Sequence, residues 1–111
     1  WQTNGQRAKW PAKVEPEPRL PIPTSYGPLR VTYIGHATLL VQVEDINLLI
    51  DPVFSDRCSP FSVIGPRRVQ KPYAGIADLP KIHYVFVSHN HYDHMDKASL
   101  TALARVHKPS F

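Results

Sequence analysis

Three histidines and an aspartate fall within six residues in the run His89-Asn90-His91-Tyr92-Asp93-His94. Imidazole nitrogen and carboxylate oxygen are the donors zinc takes in catalytic sites, where one position stays open for water. Residues two apart in an extended turn face one side, so His89 and His91 can grip one ion. Asp93 and His94 lie a step further round and reach a second ion beside the first. Two ions roughly 3.5–4 Å apart are the usual machinery for in-line displacement at phosphorus or hydrolysis of a strained ester, because together they lower the pKa of a shared water. The resulting hydroxide attacks phosphorus or a carbonyl. Asp93 is also the candidate catalytic residue, orienting the water or passing a proton to the leaving group. The competing reading, a polar loop of satisfied histidines, fits this density of ligating side chains poorly.

Such a cluster needs elements that hold it. Residues 82–88 (I-H-Y-V-F-V-S) are β-branched and aromatic and read as a buried strand delivering the motif. Asp96 can cap a helix over 97–106, with Leu100, Leu103 and Ala104 as the stripe resting on a sheet. His83 stands at the far end of its strand and reads as structural. Upstream, Val31, Tyr33, Leu39, Val41 and Val43 alternate with a period of two. Breaks at Gly35-His36 and Glu44-Asp45, and Asp51-Pro52 after the apolar run 47–50, predict three short antiparallel strands. Ligating histidines need an acceptor for their second nitrogen. Asp51, left at the sheet rim, is the first choice, with plain capping of the rim as the alternative.

Two stretches have no period. Residues 1–28 carry Pro11, Pro16, Pro18, Pro21, Pro23 and Pro28, which disfavour helix and central strand. They read as an extended arm packed on the surface, with a membrane-facing or partner-binding arm as the other reading. Residues 52–80 form a long connection, of the kind that is commonly functional. In it Arg67 and Arg68 are candidates for phosphate by bidentate hydrogen bonds, against a reading as solvated loop arginines. The apolar loop residues are candidates for acyl chain or bilayer surface.

The run S-H-N-H-Y-D-H-M-D resembles the signature of the metallo-β-lactamase superfamily. With Y-I-G-H-A-T-L-L-V (33–41), L-L-I-D-P-V-F-S-D-R (48–57), S-P-F (59–61) and I-G-P-R-R (64–68), the chain resembles the branch containing N-acyl-phosphatidylethanolamine-hydrolysing phospholipase D, near the ascorbate-6-phosphate lactonase-like hydrolases. The resemblance runs from about Leu29 to Leu100. It implies an α/β fold, the αββα sandwich, with residues 29–111 as its N-terminal half. It implies two zinc ions per complete domain, with iron or manganese as alternatives. It places His36 near the site, against simple turn packing. It also implies a further histidine, a bridging aspartate and a final histidine from downstream. His107 is too close in sequence to serve, so activity is expected to require a C-terminal half. The implied substrate is a phospholipid or other phosphate-bearing molecule. A lactone or sugar phosphate, or a non-catalytic metal-binding fragment, are the other readings.

Composition bounds the rest. At 111 residues the limit is one domain. A net charge of +4 and a pI near 9.4 suit an anionic substrate or surface, and peripheral membrane contact is compatible with both. No basic run with interleaved aromatics marks a nucleic-acid partner. No stretch of about 18 apolar residues can span a membrane, and nothing reads as a signal peptide. Cys58, the one cysteine, reads as a small loop residue.

Overall fold

The computed structural model describes residues 11–14, 20–59, 61 and 63–111. Four strands form one mixed sheet in the order β1 (Tyr26–Gly35), β2 (Thr38–Glu44), β3 (Ile46–Ile50) and β4 (Tyr84–Phe86). The first three make an antiparallel meander, and β4 pairs parallel to β3. A single helix, α1 (Lys97–Val106), follows the histidine run. The chain turns where the sequence predicts. His36 takes φ 52° in the first hairpin and Glu44 takes φ 51° in the second. Because β1, β3 and β4 run the same way, their carboxyl ends meet at one rim, beside the His36 turn. That rim is where open α/β sheets place their ligands.

Pairing rows define two faces. Leu40, Leu49 and Val85 lie side by side on one, in the core with Ile34, Leu79, Ile82 and Leu103. This face also buries Thr38, Gln42 and Asn47. Gln42 Nε2 donates to Pro23 O and Asn47 Oδ1, and Asn47 Nδ2 donates to Thr24 O and Lys81 O. Burying amides without such partners would cost several kcal/mol, roughly 2–7 by transfer scales. The network ties the start of the chain and the approach to β4 to the middle of the sheet.

The other face is apolar too. It holds the row Val31, Val41, Leu48, Tyr84 and the row Tyr33, Leu39, Ile50, Phe86. The alternation of Val31, Tyr33, Leu39, Val41 and Val43 therefore marks this open face, and the packed core takes the alternate residues. Near-continuous apolar strands belong to sheets covered on both sides.

The strand expected over 82–88 is shorter than its composition suggests. Only Tyr84–Phe86 pairs, and of these three only Val85 is buried, with Tyr84 50% and Phe86 56% exposed. At its start, His83 exchanges bonds with Asn47, donating N–H to its carbonyl and accepting from its N–H through Nδ1. At its end, the chain must turn to bring Ser88 N–H to Asp51 Oδ1.

Helix α1 has the predicted span and cap, since Asp96 accepts from Ala98 and Ser99 N–H. Its packed face differs from the expected one. Leu103 is buried and Leu100 packs against the core, but Ala104 is exposed, and Ser99 and His107 complete the face. Both are satisfied: Ser99 Oγ accepts from Phe54 N–H, and the His107 ring pairs with Ile82 N–H and Ile76 O. Of the proline-rich arm, residues 1–10 and 15–19 lie outside the described residues. Strand pairing already begins at Tyr26, and Leu20 exchanges two hydrogen bonds with the Tyr73 hydroxyl.

Asp96 does more than cap. Its Oδ2 also accepts from Phe54 and Ser55 N–H, joining α1 to the connection 52–80. Burial acts to raise its pKa, but bonds from Ser99 and Ser55 carry it below the ordinary 3.8. The folded form therefore favours the carboxylate, and that stabilisation is complete above the unfolded value and lost as pH falls through the folded one. Asp96→Ala is expected to destabilise the complete polypeptide by about 2 kcal/mol, the upper range for a cap. Urea unfolding should show that deficit undiminished at neutral pH and shrinking below about pH 4.

Candidate metal centre

Each site residue owes its place to the rim. Asp51 follows β3 and is held with φ 43°. That region is sparsely used by residues other than glycine, with aspartate among the better tolerated. Thr38 fixes it there. Its hydroxyl donates to Asp51 O and accepts from Val53 N–H, while Asp51 N–H donates to Phe86 O. The buried carboxylate then faces the strand-to-loop junction. Oδ1 accepts from Ser88 N–H at 2.6 Å, and Oδ2 accepts from Ser88 Oγ at 2.7 Å and His94 Nδ1 at 2.8 Å. Burial would raise the Asp51 pKa, but the bonds from His94 and Ser88 bring it below the carboxylate norm. Asp51 is thus an anion at neutral pH, accepting from His94.

The histidine run is a tight turn, because His91 O accepts from both His94 and Met95 N–H. The turn folds Asp93 back toward His89 and His91. Ligating atoms of His89, His91 and Asp93 all lie within 4.8 Å of one another. Asp93 thus stands close to His89 and His91 as well as to its neighbour His94. His94 stands against the group, its ring centroid 4.0 Å from that of His89 and its Nε2 3.6 Å from Asp93 Oδ2. With Nδ1 on Asp51, Nε2 is the nitrogen His94 offers to the site. His36 reaches the same carboxylate from the hairpin, Nε2 to Asp93 Oδ2 at 3.6 Å. Slight burial pushes the Asp93 pKa up, but its own backbone N–H and the neighbouring His94 and His36 outweigh this and lower it.

A groove of about 430 Å³ opens beside the cluster, lined by Tyr33, His36, Asp56, Arg67, Arg68 and Asp93 among others. Both arginines border it, but they differ. Arg67 is exposed. Arg68 directs Nε to Ser55 O and Nη2 to Val53 O, and Arg57 directs Nη1 to Gly65 O. These arginines knit the connection 52–80, which among its described residues has only a 3-10 turn (Ile76–Asp78) and a bridge between Arg57 and Arg67. Gly65 suits that fold, with φ 105° and a Cβ position that would fall 2.7 Å from Ser59 Cβ. Cys58 also lines the groove. Burial, then Asp93 and Asp96, push its thiol pKa up, so it stands as a neutral wall residue. His83 and His107 are engaged in backbone bonds away from the cluster.

The sequence reading omitted Ser88 and Thr38. Both are small hydroxyl residues at strand ends beside the rim, and only their position next to Asp51 across the sheet marks them.

Residues 46–110 match the model of the beta-lactamase superfamily domain. The chain belongs to that superfamily. It is 42% identical over 83 residues to an uncharacterized protein of Mycobacterium tuberculosis, covering 75% of this chain and 22% of that protein. It is 40% identical over 78 residues to N-acyl-phosphatidylethanolamine-hydrolyzing phospholipase D 1 of Caenorhabditis elegans, covering 70% of this chain and 22% of the relative. The mitochondrial enzyme of the same description from Saccharomyces cerevisiae is 34% identical over 73 residues, 66% of this chain and 15% of the relative. The chain therefore spans about a fifth of the length of the curated relatives it matches. Metal ions are usual in this superfamily, and the His89, His91, Asp93 group has the donors to hold one. Among the described residues no helix is long and apolar enough to cross a membrane.

His89 and His91 stand inside the group that could hold a metal, and Asp51 stands outside it. In the complete polypeptide, His89→Ala or His91→Ala is expected to abolish stoichiometric zinc retention. Asp51→Ala should weaken it 10–100-fold, the usual effect of losing an outer partner. Competition against a chromophoric chelator checks the order.

Proposed function

We propose that this chain supplies the metal-holding rim of a hydrolase for phospholipid diesters of the N-acyl-phosphatidylethanolamine type. One observation carries the reading. His89, His91 and Asp93 converge within 4.8 Å in a chain 40% identical to a phospholipase D of that description. Two imidazoles and a carboxylate fit zinc as a catalytic site takes it, with positions left for water and for donors beyond this chain. We assign two ions to the complete domain, zinc first, with iron or manganese as alternatives. His89 and His91 would hold one, and Asp93 with His94 Nε2 would contribute to the other, with Asp93 close to both histidines of the first. Bound there, the metals supply Lewis acidity at phosphate oxygens and an activated water.

The chain's own residues do the rest. Asp93, ionised and partly exposed, accepts a hydrogen bond from the attacking water and orients it. Asp51 holds the His94 ring in one orientation. His36, next to Asp93, can contact the substrate's phosphate. Arg67, and the donors of Arg68 not engaged with Ser55 and Val53, offer guanidinium hydrogen bonds to the diester from the groove wall. Phe61, Val63 and Ile64, exposed by 62%, 76% and 64% on the same connection, suit contact with acyl chains or a bilayer surface. The open apolar sheet face supports the αββα arrangement, in which the remainder of the polypeptide covers it and completes the ligand set. Residues 1–111 alone are then inactive.

Elemental analysis of the active complete polypeptide is expected to give about two zinc (or zinc plus iron) per chain, and at most trace metal would exclude the dinuclear reading. Rates on a phospholipid diester in micelles, a lactone phosphate and a β-lactam, measured side by side, should favour the diester. Faster turnover of the lactone would move the assignment to the neighbouring lactonase-like branch. No turnover of any of the three would reduce the chain to a non-catalytic metal-binding part.

A further inference from the structure

Ser88 is where the two halves of the rim meet. Its N–H donates to Asp51 Oδ1, and its Oγ lies 2.7 Å from Asp51 Oδ2, 2.9 Å from His89 Nδ1 and 3.4 Å from His94 Nδ1. A hydroxyl has one proton to donate and two lone pairs with which to accept, whereas an ionised carboxylate only accepts. The short Oγ–Oδ2 contact therefore takes the Ser88 proton. Asp51 Oδ2 receives a second proton from His94 Nδ1. With its own proton committed, Ser88 Oγ can only accept from His89, so His89 must carry hydrogen on Nδ1. The opposite tautomer would need the Ser88 proton for itself and would leave two oxygen lone pairs facing each other at 2.7 Å.

We propose that Ser88 is a positioning residue that relays the hydrogen-bond demand of Asp51 to His89, fixing the Nδ1–H tautomer so that Nε2 faces the metal position. One buried carboxylate then sets two histidines, His94 directly and His89 through a hydroxyl. Neither Asp51 nor Ser88 belongs to the donor group. An acceptor on the second nitrogen is what orients a ligating imidazole and raises its basicity, and here it comes from the residue adjacent in sequence. The consequence for metal affinity rests on the metal reading above, whereas the tautomer does not.

The test uses the complete polypeptide, stripped of metal and labelled with 15N-histidine, at about pH 8. Long-range 1H–15N spectra report which nitrogen carries the proton. The wild type should show His89 protonated on Nδ1. Ser88→Ala keeps the backbone bond to Asp51 but removes the hydroxyl, so His89 should pass to a mixture or to Nε2–H, while His94 stays Nδ1–H. Ser88→Thr should restore the wild-type pattern. Zinc affinity, from chelator competition, should fall 10–100-fold in Ser88→Ala and recover in Ser88→Thr. Wild-type His89 protonated on Nε2 would overturn the proposal without any variant, so a misfolded Ser88→Ala does not shield it. Unchanged tautomer and affinity in a folded Ser88→Ala would overturn it as well, and would leave the metal reading standing. The expected tautomers in a wild type that binds no zinc would do the reverse, sustaining the Ser88 relay and ending the metal reading.

Discussion

The carboxylate of Asp51 is the interaction on which the rim depends. Three separate pieces of chain meet there: the end of β3, the exit from β4 through Ser88, and the histidine turn through His94. A charge buried at this depth is costly unless it is fully hydrogen-bonded. The five bonds at Thr38, Phe86, Ser88 (two) and His94 fix both the backbone and the side chain of this residue. In a low-dielectric setting such a network either is satisfied or fails together. Placing the turn therefore follows from placing Asp51, and Asp51 is placed by the meander.

The sheet supplies that placement with an uneven distribution of polarity. Its packed face carries three buried polar residues, Thr38, Gln42 and Asn47. Its open face has two unbroken apolar rows. The polar residues have structural work: Thr38 locks Asp51, and Gln42 with Asn47 binds the segments on either side of the sheet. Gln42 Oε1 and Thr32 Oγ1 have no hydrogen-bond partner among the described residues. The open face has the composition of a layer interior, since exposed contiguous apolar area of this kind marks a surface meant to be covered.

Much of this was legible in the chain. The meander, both of its turns, the end of β3 at Asp51 and the capped helix over 97–106 all follow from local signals, periodicity and turn or cap chemistry, and those agree with the fold. The departures share a cause: hydrogen bonds made at long range. The 82–88 segment has strand composition, but Asn47 and Asp51 take over its two ends. Ala104 fits a helical stripe, yet Ser99 and His107 pack instead, because each finds a partner on another element. Arg68 looks like a free phosphate ligand in sequence, but two of its donors serve Val53 and Ser55. Ser88 has no sequence signal stronger than adjacency to His89.

The proposed metal role for the His89, His91 and Asp93 group is the claim from which the functional reading descends. Zinc-edge X-ray absorption on the zinc-loaded complete polypeptide tests it most directly, since imidazole rings leave a characteristic outer-shell scattering pattern. The account predicts that pattern in the wild type, and its weakening when His89 and His91 are both replaced by alanine. A spectrum without imidazole scattering, or one that the double substitution leaves unchanged, would contradict it.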